Sequence, residues 1–254
     1  MAIKLWAHRG CSLRCPENTL TAFRMAARLP ELVGIELDIQ QTRDHHLVVI
    51  HDERVDRTTD GIGMVKDYSL AELKTLRIQT GKEQAERIPT MDEVFQMLFS
   101  YLKNGLQLNI ELKNSNVSYE GMEERILDMA ARYGLQEHIL YSSFYAKSLV
   151  LLSEMDANAR IAILDNKLSD CMYKAMGMGR KMDLHPYWQG MDLGVCELNH
   201  AKIAWEGGDY TIRAWMGGGH LFPEKPTGKK LDLEKLEAAG IQELILNEPE
   251  AYLS

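Results

Sequence analysis

Short β-rich runs alternate along this chain with helical patterns, and that alternation limits the fold more than any other feature. The expected strands are Ile3–Ala7, Gly34–Ile39, Leu47–His51, Gln107–Leu112, His138–Ser142, Arg160–Leu164, Met182–His185, Tyr210–Trp215 and Glu243–Leu246. Helical patterns fall between many of them. Thr19–Leu29 opens on Thr19, Leu70–Leu76 follows Ser69, and Met91–Leu102 follows Thr90 with Glu93 in capping-box position. Tyr119–Tyr133 stops at Gly134; Ala146–Met155 and Leu231–Ala239 complete the set. Strands alternating with helices of roughly 10–15 residues imply βαβ units and a parallel sheet. The expected fold is therefore an α/β, TIM-like (β/α)8 barrel. It is irregular in one place, because the runs 34–39 and 47–51 leave no room for a crossover helix. At 254 residues the length fits one barrel or two small domains; the strand count favours one domain over 1–254. Residues 53–105 would be an insertion capping the barrel mouth. Lys181–Tyr210 gives no clear pattern.

The composition removes several function classes. A hydrophobic fraction of 45%, spread evenly, excludes disorder and lets the chain fold without disulfide or metal. The net charge of −8 disfavours nucleic-acid binding through a basic face, while leaving a small anionic substrate open. No apolar run approaches ~18 residues, so no membrane span is expected. The start, Met1 to His8, lacks the pattern of a signal peptide, which makes the cytoplasm the expected location. Cys11 and Cys15 have neither redox nor zinc spacing; with Cys171 and Cys196 they read as incidental reduced thiols.

The chemistry gathers at strand ends. In Gly34–Ile39, side chains alternate faces, so Ile35, Leu37 and Ile39 oppose Glu36 and Asp38. Two acids side by side on an otherwise apolar strand repel unless a cation lies between them or the strand faces solvent. The run Leu108–Lys113 repeats the pattern, with Asn109, Glu111 and Lys113 on one face. Three carboxylates without neighbouring Cys favour a hard divalent ion, Mg²⁺ or Ca²⁺, over zinc. His8 and His51 each end a β-run, followed by Arg9 and Asp52. In a barrel the C-terminal strand ends form the active face. A lone strand-end histidine is usually structural; two beside acid clusters read as proton carriers. His45 and His46 read as a hairpin turn, and His138, His185, His200 and His220 carry weak signals. One hard metal, two histidines, Arg9 and Lys113 suit hydrolysis of an anionic ester.

In order along the chain stand Ala7-His8-Arg9-Gly10, Pro16-Glu17-Asn18-Thr19, Glu36-Leu37-Asp38, His51-Asp52 and Asp56-Arg57-Thr58-Thr59-Asp60-Gly61-Ile62-Gly63. Ile88-Pro89-Thr90, Ile110-Glu111-Leu112-Lys113 and Ser142-Ser143-Phe144 follow. This ordered set resembles the glycerophosphodiester phosphodiesterase family over about residues 3–165. The resemblance implies a barrel enzyme that releases sn-glycerol 3-phosphate and an alcohol from small glycerophosphodiesters. It implies Glu36, Asp38 and Glu111 as metal ligands, and His8 and His51 as general acid and base in an order left open. Arg9 and Lys113 would contact the phosphate, Glu17 would orient groups around His8 or the metal, and Phe144 and Trp215 would wall the glycerol end. Attack by the glycerol hydroxyl, through a cyclic phosphate, and attack by water both remain open.

The C-terminal third departs from the family. Ala214-Trp215-Met216-Gly217 stands where Trp-Thr-Val-Asn is usual, and Leu246-Asn247-Glu248-Pro249 lacks the aspartate of the closing Thr-Asp-x-Pro. A leaving-group pocket lined by Met172, Met176, Met178 and Met182 is one reading; ordinary packing is favoured over it. Two alternatives follow: a phosphate-ligand binding module without turnover, and a lysophospholipase D-like or sphingomyelinase D-like phosphodiesterase. No amphipathic anchor is evident, which favours soluble diesters.

Overall fold

The computed structural model describes residues 3–79, 86–187, 210–216, 231–238 and 240–253. The strands are β1 (Lys4–His8), β2 (Gly34–Gln41), β3 (Leu47–Val49), β4 (Gln107–Leu112), β5 (Ile139–Ser143), β6 (Arg160–Asp165), β7 (Asp183–Pro186), β8 (Arg213–Trp215) and β9 (Glu243–Leu246). The helices are α1 (Leu20–Ala26), α2 (Leu70–Leu73), α3 (Met91–Lys103), α4 (Met122–Tyr133), α5 (Ala146–Met155), α6 (Leu168–Met178) and α7 (Leu233–Ala238). Eight strands run parallel in the order β7-β6-β5-β4-β2-β1-β9-β8. Single parallel bridges, Leu184 to Ile212 and Tyr187 to Trp215, bring β7 beside β8 and nearly close the barrel. The fold is thus the expected TIM barrel. Its irregularity is also where the sequence puts it: β3 returns antiparallel on β2 as a hairpin. His45, at φ +64°, sits in the turn.

The strand alternation sorts residues between two environments. Leu5, Ala7, Ile35, Leu37, Leu108, Ile110 and their counterparts face the helices and form the main core. α3 buries Met91, Val94, Phe95, Leu98 and Leu102, a helical-period stripe, on that core. Each such side chain contributes about 1.5–3 kcal/mol. The Thr90–Glu93 capping box forms as the spacing predicts, and so does the Gly134 stop, at φ +63°. α4 starts later than expected, after Gly121 at φ +69°, and α2 is a single turn capped by Ser69 and Glu72. A second cluster, Val48, Ile50, Val55, Val65, Leu73, Ile78 and Ile88, packs beneath the long connection between β3 and β4. The stretch 188–209, together with Cys196, His200, Gly217–Gly219 and His220, lies outside the described residues.

The other strand face points into the barrel. In its lower part Trp6 is almost wholly buried. Its Nε1–H donates to Glu243 Oε2 at 2.6 Å, and Arg213 Nε–H donates to the same oxygen at 2.6 Å. The Arg213 guanidinium lies 4.6 Å from the Trp6 ring centre and reaches Asp183 at 3.3 Å and His185 Nε2 at 2.5 Å. Burial, then the Arg213 charge, holds His185 well below the usual imidazole range. This network spans β1, β7, β8 and β9 and ties the seam from inside.

Gly34, Trp6's partner in the β1–β2 register, leaves room for the indole: a Cβ there would lie 2.3 Å from Trp6 Cζ3 and 2.8 Å from the Gln107 carbonyl. Gly34→Ala is therefore expected to cost about 1–3 kcal/mol or more by overpacking. Urea unfolding at parental stability would show that the indole can move aside.

Candidate active site

Strand register assembles the acids. Asp38 pairs with Glu111 across β2 and β4, and His8 pairs with Glu36 across β1 and β2. Carboxylate oxygens of Glu36, Asp38 and Glu111 all lie within 4.8 Å of one another, and all three residues are buried. Burial, then the charges of Asp38 and Glu111, pushes Glu36 well above the usual carboxylate range. Burial also raises Glu111, against the pull of Lys113 and with the help of Asp38. Asp38 goes the other way. Burial opposes ionisation there, but Arg9, His51 and Lys113 outweigh it and hold Asp38 far below its ordinary value.

The residues around the acids are mostly cations and donors. Arg9 takes a left-handed backbone, φ +57°, so its N–H donates to Glu36 Oε2 at 3.0 Å. Its guanidinium donates to Glu17 Oε1 at 2.9 Å and lies 3.2 Å from Asp38 Oδ2 without hydrogen-bond alignment. Asn18, at φ +56°, donates Nδ2–H to Asp38 Oδ2 at 2.9 Å. Lys113 Nζ donates to Glu111 at 2.8 Å, lies 3.7 Å from Asp38 and stands 6.0 Å from the Phe144 ring centre.

Both histidines are held at Nδ1. His8 Nδ1 meets Asn247 Oδ1 at 2.5 Å, and its Nε2 lies 3.9 Å from Glu36. His51 Nδ1 meets Asp52 Oδ1 at 2.6 Å. Carbonyl and carboxylate oxygens only accept, so Nδ1 carries the hydrogen in both rings. The His51 carbonyl accepts from Gln40 Nε2 at 2.9 Å, and Gln40 accepts from Tyr119 at 2.6 Å. Asp52 accepts from Arg57 at 2.6 and 3.1 Å, and Arg57 also donates to Glu17 at 2.8 and 2.7 Å. These contacts hold Asp52 and Glu17 below the usual carboxylate range although burial opposes it.

The cavity enclosed by these groups measures about 210 Å³. That is smaller than the ~300–1,000 Å³ typical of ligand sites and suits a small ligand. Its polar lining includes His8, Arg9, Glu36, His51 and Glu111, and its apolar lining Phe144, Leu164, Trp215 and Ile245. Phe144 meets Trp215 edge-on at 5.9 Å, and Tyr187 lies 4.6 Å from Trp215. Asp38, Lys113 and Glu17 are not among the described lining residues but touch residues that are: Asp38 and Glu17 meet Arg9, and Lys113 meets Glu111. Met172, Met176, Met178 and Met182 are not among the described lining residues. Met176 is exposed and Met182 is buried in the main core.

Several members of the site had no assigned role in the sequence reading. Asn109 and Ser142 line the cavity, with Asn109 Oδ1 and Ser142 Oγ buried and unpaired among the described residues. Strand alternation carries their signal, since each shares the inward face with Glu111 or stands opposite it in register. Asn18, Asp52 and Arg57 lie within the motifs, but only tertiary contact shows what they hold. Asn247 is the departure noted in the closing motif.

The donor set fits a divalent cation. All three groups offer hard oxygens, Asp38 Oδ1 is buried without a hydrogen-bond partner among the described residues, and burial and its acidic neighbours push Glu36 toward protonation. A parallel barrel with a buried acid triad and two anchored imidazoles at its C-terminal face has the groups a metal-assisted hydrolase uses, oxygens for a hard cation and rings that can move protons. The comparisons narrow this class. Residues 8–175 match the glycerophosphoryl diester phosphodiesterase family. A glycerophosphodiester phosphodiesterase of Caldanaerobacter subterraneus subsp. tengcongensis is 37% identical over 98% of this chain and 95% of its own. An Oleispira antarctica phosphodiesterase, solved with the product sn-glycerol-3-phosphate, superposes with a TM-score of 0.75 at 25% identity, covering 98% of this chain and 95% of its own. A glycerophosphodiester phosphodiesterase from Parabacteroides distasonis shares the fold, with a TM-score of 0.74 at 19% identity over 98% and 94% of the two chains. The chain belongs to the glycerophosphoryl diester phosphodiesterase family. It is a phosphoric diester hydrolase that acts on glycerophosphodiesters. No helix of the described residues is long and apolar enough to cross a membrane.

Cation uptake should couple to folding and to pH. A ligand at 100 times its Kd adds about 2.7 kcal/mol of stability, on the order of 5–10 °C in Tm for a chain this size. Saturating Mg²⁺ or Ca²⁺ is expected to raise Tm by that order near pH 7.5. Glu36 and Glu111 have raised folded values, so without cation their repulsion costs stability as pH rises through those values. The gain from metal should therefore shrink toward pH 5, where protons compete for the same oxygens. A melting series with and without cation checks this; a gain independent of pH would remove the acid triad as the site of uptake.

Proposed function

We propose that the enzyme releases sn-glycerol 3-phosphate and an alcohol from soluble glycerophosphodiesters, with Mg²⁺ or Ca²⁺ held by Glu36, Asp38 and Glu111. The observation that carries this reading is the convergence of three buried carboxylates and two Nδ1-anchored histidines on one small cavity. A bound divalent ion supplies charge stabilisation to the phosphoryl oxygens. Arg9 and Lys113 add positive charge beside it. Because Nδ1 of each ring is committed, Nε2 exchanges protons with the substrate: one ring takes a proton from the attacking hydroxyl, and the other gives one to the departing alkoxide. The same pair serves attack by the glycerol hydroxyl or by water. Phe144 and Trp215 offer the apolar wall against which the carbon chain of glycerol packs.

The hydrogen bond from His8 to Asn247 supports turnover over a binding-only module, because the altered closing motif still offers His8 an acceptor. Residues 1–254 read as one barrel domain with an insertion over 53–105, whose small apolar cluster seats it beside His51. The buried thiols Cys11, Cys15 and Cys171 favour a reducing compartment, the cytoplasm.

The test is release of glycerol 3-phosphate from glycerophosphocholine, glycerophosphoethanolamine and a lysolipid. EDTA should abolish it and Mg²⁺ or Ca²⁺ restore it, with the lysolipid cleaved far more slowly. His8→Ala and His51→Ala should each lower kcat by roughly 10²–10⁴-fold, while metal affinity is largely kept. A His51→Ala enzyme working at the parental rate would sink the acid–base assignment.

A further inference from the structure

We propose that Arg57 is a positioning residue that holds His51 and Arg9 in register with each other, and that turnover depends on its bridge between Asp52 and Glu17. The inference rests on the function proposed above. Arg57 follows β3, whereas Glu17 lies in the connection from β1 to α1. Among the described residues its guanidinium makes four contacts, two on Asp52 at 2.6 and 3.1 Å and two on Glu17 at 2.8 and 2.7 Å. Each carboxylate then holds one group that lines the cavity. Asp52 accepts from His51 Nδ1 at 2.6 Å, and Glu17 accepts from Arg9 at 2.9 Å. The result is one chain of charge-assisted bonds, His51–Asp52–Arg57–Glu17–Arg9, running around the cavity rim.

Only a planar fork serves two carboxylates in this way; an ammonium presents a point charge without that geometry. Glu17 is 8% exposed and Arg57 25%, so these bonds are partly shielded from water and from salt. Without Arg57, Asp52 and Glu17 would lose the cation between them. Asp52 would then be free to turn, and His51 would lose its fixed ring orientation. A purely structural role, pinning the 53–79 stretch to the barrel, is already filled by the apolar cluster of Val55, Val65, Leu73 and Ile78 on Val48 and Ile50. Thr59 Oγ1 also closes that loop on the Val55 carbonyl at 2.8 Å.

The experiment is a kinetic double-mutant cycle on the full chain with Mg²⁺ and glycerophosphocholine. Arg57→Ala and Asp52→Asn are each expected to lower kcat roughly 10–100-fold, part of the ~10²–10⁴ a positioned acid or base contributes. The double variant should be no slower than the slower single. Arg57→Ala should also raise KM, an effect shared with Glu17→Gln and absent from Asp52→Asn. Millimolar guanidinium should raise kcat of Arg57→Ala several-fold. Arg57→Lys covers the case in which Arg57→Ala does not fold, and its kcat should fall between parent and Ala. Parental kcat in a folded Arg57 variant, or losses that multiply in the double variant, would overturn the proposal. If the parent hydrolyses no glycerophosphodiester, the functional reading fails, yet the clamp remains measurable. The hydrogen-bonded ring proton of His51, assigned by its loss in His51→Ala, should shift or vanish in Arg57→Ala and Arg57→Lys. An unmoved resonance would also overturn the proposal.

Discussion

Three carboxylates forced together inside a barrel set the terms for everything around them. The parallel register of β2 and β4 puts Asp38 opposite Glu111, and the pleat puts Glu36 on the same inward face. Like charges this close in a poorly solvated place cannot all stay ionised without cations nearby. The fold supplies Arg9 and Lys113 from strand ends and backbone and side-chain donors from Arg9 and Asn18. Even so, Glu36 is still driven toward protonation. The protein cations therefore offset only part of the repulsion. The remainder would favour a divalent ion among these oxygens, as the function proposed above requires.

The barrel interior divides that burden from stability. Below the site lies a second charged network, Trp6, Glu243, Arg213, Asp183 and His185, in which the charged groups are paired and the ring nitrogen His185 Nε2 has a donor. It closes the short β7–β8 seam, where only single backbone bridges join the strands. Buried polar networks specify a structure only when they are satisfied. In the lower network every charged group is paired, and His185 Nδ1 alone lacks a partner among the described residues. The upper one leaves Asp38 Oδ1, Asn109 Oδ1 and Ser142 Oγ unpaired among the described residues. The two networks differ most in their carboxylates, which are paired in the lower one and crowded together in the upper one.

Much of this was legible in the chain itself. Alternation in Gly34–Ile39 and Leu108–Lys113 identified the inward acids, because a period of two is enforced by the backbone whatever the tertiary context. The parallel barrel and the β2–β3 exception followed from spacing alone. Element ends were less legible. α4 begins only after Gly121 adopts a left-handed turn, while an Asn114 side chain captures the Tyr119 N–H. Such local competition does not alter hydrophobic period. Least legible were the groups that act on other groups. Arg57 is an ordinary charged loop residue until Glu17, forty positions away in the chain, is seen beside it.

The departure at Asn247 shows how far a motif can change while its geometry survives. The residue follows β9, which pairs in parallel with β1, so its side chain arrives beside His8 at the same end of the barrel. What His8 needs from that neighbour is an acceptor oxygen at Nδ1, and a carboxamide provides one as well as a carboxylate does. The substitution alters charge and leaves the hydrogen bond in place. His51 differs in kind: its acceptor is a carboxylate, itself gripped by a guanidinium. The two imidazoles are thus held alike in orientation but unlike in electrostatic surroundings. That asymmetry suits the reaction proposed above, in which one ring would accept a proton while the other gives one away.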